Sequence, residues 1–115
     1  MPRGETPPWR ARKQPDLESH VLASVNAAEM NEQGHYGELV YTGCKTRERA
    51  TEIRRALFRA AKRLNYSMHA EIENRGREFQ VRYHAIDKAH ARRWLVQTYG
   101  TDRSAWPYNP RSRNV

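Results

Sequence analysis

The sequence predicts a small α+β fold: a three-stranded sheet in β-α-β-β-α order, a truncated ferredoxin-like unit with helices on one face and an additional N-terminal helix. Three observations lead there. Residues 45–63, KTRERATEIRRALFRAAKR, repeat their apolar side chains at the helical period. Residues 68–84 repeat theirs at a period of two, in two runs separated by Asn74-Arg75-Gly76-Arg77. Ahead of both stands the β-prone run Glu38–Thr42, ELVYT.

The elements follow in chain order. Residues 1–15 hold four of the six prolines together with Arg3, Arg10, Arg12 and Lys13. Proline fixes φ and lacks a backbone donor, so this stretch is expected to be a flexible basic arm. Asp16 is placed to cap a helix reaching about Met30, with Leu17, Val21, Val25 and Ala28 as its inner stripe. Val21, Ala23 and Val25 also alternate, so a strand through His20–Val25 competes with that helix. Asn31, Gln33 and Gly34 break the pattern before the 38–42 strand.

Thr46 is the expected N-cap of the next helix, Glu48 suits the positive end of its dipole, and the helix is expected to close near Asn65. In the hairpin, pairing Met68 with Tyr83, Ala70 with Val81 and Ile72 with Phe79 keeps the apolar set on one face. The outward set is then His69, Glu71, Glu73, Gln80, Arg82 and His84. Asp87 caps a last helix with inner positions Ala91, Trp94, Leu95 and Thr98, and Gly100 ends it. The spatial strand order is expected to be 1-3-2. Residues 16–105 form one domain, and 106–115 form an aromatic and basic tail whose Trp106 and Tyr108 fold back on it.

Charge is segregated along the chain. The 115 residues carry a net +8, and by segment the sums are +3 for 1–13, −5 for 14–44, +6 for 45–63, zero for 64–86 and +4 for 87–115. With a pI near 10.1 the chain favours phosphate-rich or otherwise acidic partners. The 45–63 helix focuses that preference. At about 100° per residue, Ile53, Leu57, Ala60, Ala61 and Leu64 share one side, while Arg55, Arg59, Lys62 and Arg63 share the other; Arg49 borders the apolar side and Arg54 its margin. The expected function is non-enzymatic nucleic-acid binding, DNA favoured over RNA, through backbone contacts of Arg55, Arg59, Lys62 and Arg63 with Arg92, Arg93 and Arg12 in support. The bland reading of the same residues is a solvated helix face with weak intrahelical pairs. A protein-binding modulator that docks on an acidic host surface fits the charge equally, and the acidic 16–38 block either covers the basic helix or frames it.

Other chemistries find little support. His20, His35, His69, His84, His90 and Cys44 show neither HxxxH nor CxxC spacing, so no metal is expected. Cys44 beside Lys45, just before a helix, is either a lowered-pKa thiol or a half-buried structural residue. GxGxxG and GxxxxGK[ST] are both absent, no carboxylate pair stands near a ligand set, and neither a cofactor nor an enzyme activity is expected. The outward sheet set lacks the aromatics that stack bases on RNA-recognition sheets. A single cysteine forbids an intramolecular disulfide, no apolar run reaches about 18 residues, and no h-region follows the basic N-terminus. A cytoplasmic protein without membrane contact is the expectation.

The succession of GELVYTG, ALFRAAKRL, the hairpin and YGTDRSAWPYNPRSR, spanning residues 36–113, resembles small basic proteins of uncertain role encoded by phages of actinobacteria. The resemblance implies action in a bacterial host cytoplasm and brings no catalytic residues or defined ligand with it.

Overall fold

The computed structural model describes residues 16–108, and among them are three α-helices and a three-stranded antiparallel sheet. The expected arm at 1–15, with Arg12, and the tail beyond Tyr108 lie outside the described residues. The elements are α1 (Glu18–Ala27), β1 (Leu39–Cys44), α2 (Arg47–Arg63), β2 (Ser67–Arg75), β3 (Glu78–Ile86) and α3 (Lys88–Tyr99), followed by a 3₁₀ turn at Arg103–Ala105. Strand order is β1-β3-β2, with β3 antiparallel to both neighbours, as the sequence predicts.

Helix α1 is shorter than expected. Leu17 takes the N-cap position, and Asp16 acts from just outside, its Oδ1 accepting from Glu18 N at 3.1 Å. The helix stops at Ala27 because Gly37 arrives against its last turn. Gly37 N–H takes the Ser24 carbonyl at 3.1 Å, and a Cβ on Gly37 would stand 2.5 Å from Ala27 Cβ. Ala28 is extended and exposed, so the inner stripe is Leu17, Val21 and Ser24, with Val25 at its border. Ser24 is fully buried with both roles of its hydroxyl used: Oγ donates to the Gly37 carbonyl at 2.5 Å and accepts from Ala85 N at 2.9 Å. One hydroxyl thereby ties α1 to the incoming loop and to β3.

Helix α2 opens and closes as its sequence dictates. Thr46 Oγ1 accepts from Arg49 N at 3.0 Å. At the other end Asn65 adopts φ +63, with Asn65 N bonded to Lys62 O and Tyr66 N to Ala61 O, which is the Schellman arrangement that satisfies the last carbonyls. Its buried residues Ala50, Ile53, Ala56, Leu57, Ala60 and Ala61 form a continuous stripe. Small alanines let the helix axis approach the sheet closely, and Ile53 and Leu57 share one buried core cluster with Val81 and Tyr83 of the central strand. Helix α1 packs beside α2 on the same sheet face.

The hairpin pairs two residues further along than the sequence reading places it. Met68 faces Ala85, Ala70 faces Tyr83 and Ile72 faces Val81, with Arg75 opposite Glu78. A two-residue shift leaves the inward and outward sets unchanged, so hydrophobic alternation cannot distinguish the two registers. The turn decides it. Gly76 at φ +70 occupies the first central position of a two-residue Gly76-Arg77 loop, the glycine position of tight hairpins. Strand β1 carries an irregularity between Tyr41 and Cys44, where Gly43 at φ +84 lets Cys44 return to the core face.

Helix α3 starts at Asp87, whose Oδ1 accepts from His90 N at 3.0 Å, and ends at Gly100 with φ +87. Ala91 and Leu95 are its buried residues and stand outside the main core cluster. Its first turns pack on the segment at Gly34, where an added Cβ would meet Ala91 N at 2.9 Å. Since only those turns are covered, Thr98, expected inside, is exposed. Trp106 does fold back: its Nε1 donates to the Gly100 carbonyl at 2.9 Å.

Candidate nucleic-acid interface

Opposite the alanine-rich stripe, α2 presents Arg55, Arg59 and Lys62, all exposed and within about two turns of one another. Among the described residues Arg55 and Lys62 make no ion pair. Arg63, expected on the same surface, is turned to the edge instead. Its Nε donates to Glu18 Oε2 at 2.6 Å and its Nη2 lies 3.5 Å from Asp16 Oδ1. Asp16 and Glu18 of the acidic block therefore frame α2 at its C-terminal margin, and among the described residues no carboxylate pairs with Arg55 or Lys62.

The remaining cations of α2 are committed locally. Arg49 bonds Glu52 at 3.2 Å, one turn along the helix. Arg54 lies over the Phe58 ring, 4.9 Å from its centroid, and donates from Nε to the Ala70 carbonyl of β2 at 2.9 Å. Both placements match the margin positions read from the helical phase. Arg92 and Arg93 sit on α3, a separate element, with Arg93 exposed and Arg92 half-buried.

The outer face of the sheet is self-neutralised. Arg82 Nη2 meets Glu73 Oε2 at 3.0 Å, its Nε stands 3.9 Å from Glu38, and Gln80 donates to Glu73 at 2.7 Å. The Gln80 hydrogen bond and then the Arg82 charge hold the Glu73 carboxyl below the usual range.

That face also holds a feature the sequence reading missed. His84 is flanked by His35, at a ring separation of 4.7 Å, and by His69, at 5.2 Å, each tilted by under 30° (29° and 28°). His84 Nε2 is 3.1 Å from His35 Nδ1, and His35 Nε2 is 2.9 Å from the Tyr108 hydroxyl. His69 Nε2 lies 3.1 Å from Glu71 Oε1 at the solvent side. Burial, then the neighbouring imidazoles, pulls His84 down to about 4, and burial followed by His69 lowers His35. The signal was register: His69 stands directly opposite His84 only in the observed pairing.

The rings are stacked, with nitrogens of His84 and His35 directed to one another, His35 also to Tyr108, and His69 to Glu71, and no group of three or more His, Cys, Asp or Glu converges as a metal set among the described residues. Cys44 is buried in the core; desolvation raises its thiol pKa, outweighing the opposing Arg49 charge, which removes the lowered-pKa alternative. No helix among the described residues is long and apolar enough to cross a membrane. Comparison with known protein families, curated proteins and solved structures finds no match.

Proposed function

We propose that the protein is a non-enzymatic nucleic-acid-binding domain that contacts the phosphate backbone, DNA rather than RNA, through the outward face of α2. The observation that carries this reading is the stripe of Arg55, Arg59 and Lys62 on the side of α2 opposite its buried alanines, with Arg55 and Lys62 in no ion pair among the described residues. A rigid 17-residue helix spaces such cations so that neighbouring phosphates are met together, and each neutralised phosphate releases counterions. Arg92, Arg93 and Arg12 add charge from other parts of the chain. Arg63 contributes by fixing the helix against α1. Backbone contact carries little sequence information, so specificity is modest. The resemblance to small basic phage proteins supports a bacterial cytoplasm as the setting.

The test is a mobility-shift series with Arg55→Glu/Lys62→Glu. Both side chains are exposed, so the variant is expected to keep its melting temperature and lose binding to duplex DNA. A folded double variant that binds as before overturns the reading. A stoichiometric protein retained after nuclease treatment of the lysate points to the docking alternative instead.

A further inference from the structure

The β2–β3 hairpin tip extends the basic surface beyond what the sequence places on α2. Antiparallel pairing brings Arg75 opposite Glu78, and the Gly76-Arg77 loop projects Arg75 and Arg77 from the end of the sheet. A Cβ added at Gly76 would meet nothing within 4 Å, so the loop stands clear of the rest of the protein. The start of α2 lies beside this tip. Lys45 Nζ bonds Glu78 Oε2 at 2.6 Å, and the Arg47 guanidinium lies 5.3 Å from the centroid of the Phe79 ring. Four cations from two remote parts of the sequence, Lys45, Arg47, Arg75 and Arg77, thus gather at one end of the molecule.

Three carboxylates share the neighbourhood. Glu78 is taken by Lys45, Glu73 by Gln80 and Arg82, and Glu48 sits in the first turn of α2. Arg75 reaches Glu73 only through its charge, and Arg77 makes no ion pair among the described residues. Of the four cations, Lys45 is held by Glu78 and Arg47 lies over the Phe79 ring, which leaves the two tip arginines without an ion pair or a ring contact among the described residues.

We infer that the hairpin tip is a second phosphate-contacting site, and that with the face of α2 it grips a duplex at two points. This inference rests on the proposed nucleic-acid binding. Arg47 and Lys62 bracket α2 over 15 residues, about 22 Å at 1.5 Å per residue. At about 3.4 Å per phosphate along one strand, that span covers six to seven nucleotides. A duplex holds its phosphates at such fixed spacing, whereas a single strand is gripped chiefly by stacking its bases on exposed aromatic rings. The rings near this surface are occupied: Phe79 by Arg47 and Phe58 by Arg54. Among the described residues the exposed large hydrophobics are Leu22, Val40 and Tyr99, on other elements.

The test uses the full chain, a labelled 16-base-pair DNA duplex of mixed sequence, and fluorescence anisotropy from 50 to 200 mM NaCl. Arg75→Gln/Arg77→Gln is compared with wild type and with Arg103→Gln, which removes charge from the 3₁₀ turn. The tip variant is expected to keep its circular dichroism and melting temperature, bind at least about tenfold more weakly, and flatten the plot of log K against log salt by nearly two, about 0.9 for each phosphate lost. Arg103→Gln is expected to leave the slope unchanged. Wild type binding with the tip variant equal to it in affinity and slope overturns the second site while leaving the α2 reading intact. A single-stranded 16-mer bound more tightly than the duplex overturns the two-point grip. Absence of any wild-type binding overturns both readings.

Discussion

Acidification from pH 7 to pH 5 should destabilise the protein through the stacked imidazoles, and the size of the effect follows from the geometry. His84 lies between His35 and His69, bonded to one and stacked on both, so a proton on it meets partial burial and two neighbouring rings. Its pKa falls from 6.5 to about 4. A base with a depressed folded-state pKa binds fewer protons folded than unfolded; its contribution is complete above pH 6.5 and is lost as pH falls toward 4. At about 1.36 kcal/mol per pH unit the ceiling is about 3.4 kcal/mol. His84 keeps some solvent contact, and screening reduces this to about 1–2 kcal/mol, of which about 1 kcal/mol is lost by pH 5. His35, lowered in the same direction, adds to the loss.

For a domain of this size 1 kcal/mol corresponds to about 4–8 °C in melting temperature. The assay is thermal or urea unfolding at pH 7, 6 and 5 for wild type and His84→Phe, which keeps a flat ring between the two histidines and removes the titrating nitrogen. The variant should be less stable at pH 7 and should lose much less than wild type between pH 7 and 5. Charges near the stack, Glu71 beside His69 and Arg82 on the adjoining strand position, are the same in both proteins. Equal losses in the two proteins would refute the assignment of the pH dependence to this stack.

Two further outcomes follow from single side chains. Ser24→Ala leaves the buried Ala85 N–H and Gly37 carbonyl short of a partner, and should cost about 1–3 kcal/mol by urea titration without changing duplex affinity. Arg63→Gln breaks two exposed ion pairs to Asp16 and Glu18, so the melting temperature should stay near the wild-type value; the salt slope of DNA binding should stay at the wild-type value, since this guanidinium is engaged by α1.

The elements that announce themselves by period were legible in the sequence. Helix α2 and the hairpin follow from helical and alternating apolar spacing, the Thr46 cap from its hydroxyl ahead of that helix, and the 1-3-2 strand order from the strand–helix–hairpin succession. What escaped was set by contacts that periodicity does not encode. Ser24 belongs to the inner face of α1, yet a hydroxyl does not count as apolar, so Val25 and Ala28 stood in its place. Registers two residues apart share the same faces, and only the Gly76 turn separates them. That single ambiguity hid the His69–His84 pair. Within the candidate interface, Arg55, Arg59 and Lys62 emerged from helical phase alone. The engagement of Arg63 by Asp16 and Glu18, 47 and 45 positions away, required the packing of α1. The gathering of Arg75 and Arg77 near Lys45 and Arg47 likewise needed the fold.

Arg54 has a further consequence for how molecules of this protein behave in a crowd. Strand β2 is an outer strand, and outer strands present backbone groups that recruit strands from neighbouring chains. The Arg54 guanidinium occupies the Ala70 carbonyl on that strand, and a charged helix margin overhangs it. At the opposite border the Gly43 irregularity kinks β1 out of the straight line a newcomer would need. Both borders of the described three-stranded sheet are thus blunted against edge-to-edge pairing with neighbouring chains.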